Sequence, residues 1–184
     1  MADANASSWS QAVPWVLSGA GLIWNFINYR RTTGLQKQIR YDTVKLEEFR
    51  RVRSVIDTVL TELGSERQTL RGISASGVTI EELRTQVGER QVKLVEIFDR
   101  LEVALQKADQ SDFASGKDWT ATVHGTWDRF NTTIDKVYSP HRREEEARAA
   151  PAEAAKILNE MICAVDQRLE TEMKRFVGQH QGAR

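Results

Sequence analysis

The chain has 184 residues, with 26 Lys+Arg against 26 Asp+Glu, 40% hydrophobic and 28% charged residues and a formal net charge of zero. This length holds one domain of ~100–200 residues plus an appendage, and the composition excludes a low-complexity or disordered chain. With no basic excess to displace counterions from phosphates, general nucleic-acid binding is not expected, and a single cysteine, Cys163, excludes an intrachain disulfide.

No charge occurs between Asp3 and Arg30. Residues 1–11 read as a short external N-terminus and residues 12–29 as a transmembrane helix, at the short end of the ~17–25 apolar residues that span a bilayer. Trp9 and Trp15 near one end, with Trp24 and Tyr29 near the other, match the aromatic belts found at headgroup level. Arg30 and Arg31 follow directly, which by the positive-inside rule places the N-terminus outside and residues 30–184 in the cytoplasm. A cleaved signal peptide would carry its positive charge before the apolar run, and here it comes after. The competing reading is a buried helix of a soluble domain.

The polar residues of this segment are not scattered. Pro14, Ser18, Gly21, Asn25 and Asn28 step by four, three, four and three, which is a heptad seam on one helix face. Small residues let helices approach closely in lipid, and an Asn facing lipid leaves its amide unsatisfied. The seam is therefore expected to face another helix or water, with a second copy of the chain as the economical partner. Hydration of the two Asn residues at the cytoplasmic interface is the alternative.

Apolar residues at helical spacing continue with Leu35, Ile39, Leu46, Phe49, Ile56, Leu60 and Leu63, in phase with the membrane seam through Thr32. They predict a helix over 35–63, with Gly34 as a possible kink and Gly64 as its stop. The stretch from Gly64 to Gly77, rich in Gly and Ser, reads as a loop. Thr79-Ile-Glu-Glu82 is a capping box opening a helix over 79–109. Asp118 is read as the cap of a helix over 118–138 that carries Trp119, Val123, Trp127, Phe130, Ile134 and Val137 on one face. Residues 141–148 form a charged connector or short helix interrupted at Pro151, and a last helix covers 151–178. No stretch alternates as a strand does. The expected fold is all-α, one N-terminal transmembrane helix followed by a cytoplasmic four-helix bundle.

Chemical signals are sparse. Cys163 lies in the apolar run Met161–Val165 and is expected to be a buried structural thiol. No HExxH or CxxC spacing is present, so neither metal nor cofactor is expected. Arg50, Arg51, Arg53, Arg142 and Arg143 form short basic runs answered by nearby acids, which favours surface ion pairing over phosphate binding. Trp119 and Trp127 are expected in the core rather than as a stacking platform.

Arg175-Phe-Val-Gly-Gln-His180 matches Arg-x4-His, a spacing that chance alone also supplies in a chain this rich in Arg. It resembles the signature of the higher eukaryotes and prokaryotes nucleotide-binding (HEPN) superfamily of helical bundles. In its RNase members the Arg holds the scissile phosphate and the His takes part in metal-free acid–base cleavage. The whole-chain arrangement resembles the small membrane-pore proteins that accompany type VI CRISPR nucleases, single-pass chains with a degenerate HEPN-like bundle. That resemblance implies a ring-shaped homo-oligomer in a bacterial inner membrane, acting in phage defence beside an RNA-guided effector. Ser18, Gly21, Asn25 and Asn28 would then line a pore or close its helix packing. The leading expectation is thus a non-enzymatic, pore- or channel-like membrane effector. The alternatives are a membrane-tethered RNase using Arg175 and His180, and a passive membrane scaffold that docks a protein partner.

Overall fold

The computed structural model describes residues 6–75, 77–111 and 118–181, with side chains over 24–73, 77–111 and 118–178. Four helices occupy them: α1 (Ala6–Ala75), α2 (Ile80–Gln110), α3 (Ala121–Tyr138) and α4 (Glu144–Gln181). No strand occurs among the described residues, so the protein is all-α. It divides into two compact units, one ending at Leu46 and one beginning at Glu47, with α1 contributing to both. Among the described residues no helix is long and apolar enough to cross a membrane.

The unit beginning at Glu47 is a four-helix bundle, and cross-helix polar contacts give its topology. Glu62 and Glu66 of α1 pair with Arg100 and Arg90 of α2, so later residues on one helix meet earlier ones on the other. Arg129 and Lys136 of α3 pair with Glu160 and Glu153 of α4 in the same reversed order. Arg84 Nε of α2 donates to the Val137 carbonyl of α3, and Arg67 of α1 bonds Asn159 of α4. Each sequential pair, and α1 with α4, is therefore antiparallel, an up-down-up-down bundle. These charged pairs are at least partly exposed and stabilise little, a median of about 0–1 kcal/mol each.

Cohesion comes from the interior. Ile56, Leu63, Leu70, Leu83, Leu94, Leu101, Leu105, Phe130, Leu158 and Met161 are fully buried in one cluster fed by all four helices. Burying each such side chain contributes about 1.5–3 kcal/mol. Between α2 and α3, Phe98 and Trp127 stack at 4.2 Å, and Trp127 in turn stacks on Phe130 at 4.9 Å.

Element boundaries follow local chemistry in some places and depart from it in others. The Thr79 box forms as expected: the Thr79 hydroxyl accepts from the Glu82 amide, and the Glu82 carboxylate accepts from the Thr79 amide. That bonding holds the Glu82 carboxyl below its ordinary pKa. The expected stop at Gly64 and the loop after it are corrected, because α1 continues to Ala75. Leu70 and Ile73 are buried there, and that burial outweighs the ~1 kcal/mol cost of a helical Gly such as Gly64 or Gly72. No break falls at Gly34.

The last helix likewise starts at Glu144 rather than Pro151, which sits buried inside it. Three acids in the first turn complement the helix dipole, and Arg148 bonds both Glu144 and the Val78 carbonyl. Those contacts hold the turns that precede the proline. The third helix begins at Ala121, and Asp118 does not cap it. Asp118 instead adopts φ 84°, and its carbonyl accepts from Arg168 of α4 at 3.0 Å. Trp119 is buried in the turn ahead of α3, its amide donating to Asp109 at 2.9 Å and its ring 4.7 Å beneath the Arg168 guanidinium.

Candidate functional site

The unit ending at Leu46 is built on the helical segment that holds the expected membrane seam. Of the seam, Ser18 and Gly21 lie outside the residues with described side chains, as do the belt residues Trp9 and Trp15. Asn25 and Asn28 are exposed, together with Trp24, Phe26, Ile27 and Tyr29. The Arg30 guanidinium packs 5.1 Å over the Phe26 ring, one turn back, and Arg31 is exposed beside it. Thr32 Oγ1 donates to the Asn28 carbonyl at 2.7 Å and Thr33 Oγ1 to the Tyr29 carbonyl at 2.8 Å. Their own helix thus satisfies both hydroxyls, whereas the Asn25 and Asn28 carboxamides face outward.

Heptad phase continues from Asn28 through Thr32, Leu35, Ile39, Asp42 and Leu46 to Phe49, Ile56, Leu60 and Leu63. Along that one stripe the exposure changes sharply. Phe49 is 3% exposed, Ile56 and Leu63 0%, whereas Leu35 is 57% and Ile39 63% exposed. Tyr41 and Val44 on the same segment are exposed as well. Downstream the stripe is bundle core. Upstream its apolar members Leu35 and Ile39 are exposed, interleaved with the polar Asn28, Thr32 and Asp42.

Of the Arg-x4-His pair, the described side chains include that of Arg175 alone. Arg175 Nη1 lies 3.2 Å from the Glu172 carboxylate, which is buried, so the cation expected to hold a phosphate faces an internal anion. The side chain of His180 lies outside the described residues. Cys163 is exposed, correcting its expected burial. The buried face of α4 runs through Leu158, Met161, Val165 and Leu169, and a residue two beyond Met161 falls on the opposite side. Trp119 lies in the core, as expected, and Trp127 is partly buried against the core cluster. Among the described residues no group of His, Cys, Asp or Glu could hold a metal ion.

One feature of the bundle escaped the sequence pattern. Arg67, Gln68 and Arg71 of α1 face Ala152, Ala155, Lys156, Asn159 and Glu160 of α4 across a groove of about 760 Å³. Two of its lining residues, Arg67 and Asn159, are bonded to each other although 92 residues apart in sequence. Two arginines one turn apart are the local sign of it in the sequence, and Glu66 beside them pairs with Arg90 instead.

No protein-family model, curated protein or solved structure matches the chain.

Proposed function

We propose that the chain is a membrane-anchored helical effector that acts by self-association through the α1 seam. Residues 12–29 would form the anchor in a bacterial cell membrane, with the N-terminus outside and the bundle in the cytoplasm. The observation that carries this reading is the exposure of Leu35 and Ile39 on the same heptad stripe that is buried at Phe49, Ile56 and Leu63. A stripe with coiled-coil phase and no apolar cover is completed most economically by the same stripe of another copy. The exposed aromatics Trp24, Phe26 and Tyr29, followed by Arg30 and Arg31, suit a helix leaving the cytoplasmic interface of a bilayer.

The polarity of the anchor supports the same reading. A helix that falls short as a lone span, with Asn25 and Asn28 on one face, resides in lipid at lower cost when that face meets other helices or water. Membrane residence and assembly are then coupled. The output, as in the pore proteins the chain resembles, is loss of membrane integrity through a ring whose seam holds Ser18, Gly21, Asn25 and Asn28.

Dye entry into bacteria overexpressing the full chain tests the output. Asn25→Leu with Asn28→Leu makes the anchor more apolar, so the protein stays in the membrane fraction while dye entry falls to background. Unchanged dye entry removes the pore, and wild-type protein found wholly outside the membrane fraction removes the anchor.

A further inference from the structure

The groove between α1 and α4 is lined by three cations, Arg67, Arg71 and Lys156, and by one carboxylate, Glu160. Glu160 is already engaged, its Oε2 accepting from Arg129 Nη1 at 2.9 Å. The other acids of the neighbourhood also face elsewhere: Glu66 pairs with Arg90 at 3.5 Å and Glu153 with Lys136 at 2.8 Å. Among the described residues no carboxylate pairs with Arg67, Arg71 or Lys156, and Arg67 is held by the neutral Asn159. Arg67 and Arg71 are one helical turn apart, where two like charges repel and destabilise the helix slightly. In a chain whose charges balance and whose bundle arginines mostly have acidic partners, this uncompensated trio stands out.

The groove's shape fits a ligand. Ala152 and Ala155 add small apolar side chains to its lining, and the volume of about 760 Å³ lies within the ~300–1,000 Å³ of small-molecule sites. Guanidinium forks on α1 opposite an ammonium on α4 suit a group with several anionic oxygens, which accepts from both walls at once. A single carboxylate would satisfy one wall only. The carboxamide of Gln68 at the rim offers a donor and an acceptor to whatever the phosphates are attached to.

We propose that this groove binds a small ligand bearing a multiply charged phosphate chain, a nucleoside polyphosphate or inorganic polyphosphate. Arg71 and Lys156 contact the phosphates from opposite walls, and Asn159 positions the Arg67 guanidinium between them. The proposal is independent of the membrane reading, since it rests on the bundle alone.

Isothermal titration of the full chain with ATP, inorganic tripolyphosphate and adenosine tests it. ATP and tripolyphosphate bind saturably at low salt and weaken as salt shortens the Debye length, while adenosine does not bind. Arg71→Gln with Lys156→Gln removes two exposed charges without touching the core and weakens binding at least about tenfold. Lys174→Gln, elsewhere on α4, leaves it unchanged. ATP tighter than tripolyphosphate assigns the ligand as a nucleotide, and equal affinities assign the phosphate chain alone. Absence of saturable binding by both phosphates overturns the proposal. So does a double variant that binds as wild type, or adenosine binding as tightly as ATP.

Discussion

Truncating the same seam at two points separates a core position from an interface position. Leu63 is 0% exposed and Leu35 57% exposed, although both lie on one heptad stripe of α1. Leu63→Ala leaves a cavity among packed neighbours and costs about 3–5 kcal/mol, a large part of the ~5–15 kcal/mol that holds a domain together. Leu35→Ala removes a side chain already in contact with solvent, and within one copy it changes stability by no more than about 0.5 kcal/mol. Urea unfolding followed by far-ultraviolet circular dichroism in mild detergent reads the difference. With a denaturant slope of about 1–3 kcal/mol/M, Leu63→Ala lowers the midpoint by about 1–5 M. In dilute protein Leu35→Ala leaves the midpoint in place. At high concentration, where association adds to apparent stability, Leu35→Ala loses that increment and Leu63→Ala keeps its deficit. Equal losses for the two variants at every concentration would mean that the chain covers Leu35 itself, and the interface argument would fail.

Three smaller perturbations probe local features by the same thermal or urea melts. Thr79→Ala removes the hydroxyl of the α2 capping box and costs about 1 kcal/mol; an unchanged melting temperature contradicts the box. Asp118→Gly relieves a side chain held at φ 84° and raises stability by up to about 1 kcal/mol, whereas a loss would assign the Asp118 side chain a role of its own. The Asp166 carboxyl is pushed above its ordinary value of 3.8 by burial and by Asp57, with Glu170 adding to the shift and Arg53 opposing it. Its folded pKa is raised, so its contribution is fully present below about pH 3.8 and is lost as pH rises through the folded pKa. At neutral pH Asp166→Asn therefore stabilises, by less than about 1 kcal/mol because the group is largely solvent-screened. The gain shrinks toward zero in acid, and a gain independent of pH would contradict the charge argument.

The helices were legible where apolar periodicity and caps agreed. The spacing of Leu83, Val87, Leu94 and Leu101 marks α2, and Thr79 with Glu82 marks its start. Sequence failed where tertiary contacts override local preference. Gly64, Ser65 and Gly72 read as a loop, but Leu70 and Ile73 bury themselves against the bundle and carry the helix across them. Pro151 read as a start, but Arg148 and the acids before it extend the helix upstream. Asp118 read as a cap, but Asp109 and Arg168, supplied by α2 and α4, take over the turn. Heptad phase revealed the seam but not which part of it is covered, since exposure is a property of the packed chain. The Arg67–Arg71 groove was invisible for the same reason, because its second wall lies on α4.

The mass of the full chain, extracted from membranes in mild detergent and measured by light scattering after size-exclusion, tests the central claim most directly. Self-association through the α1 seam predicts a protein mass at least twice the 20.9 kDa of one chain, reduced to one chain by Leu35→Lys with Ile39→Lys. A wild-type monomer would contradict the account and exclude the pore with it.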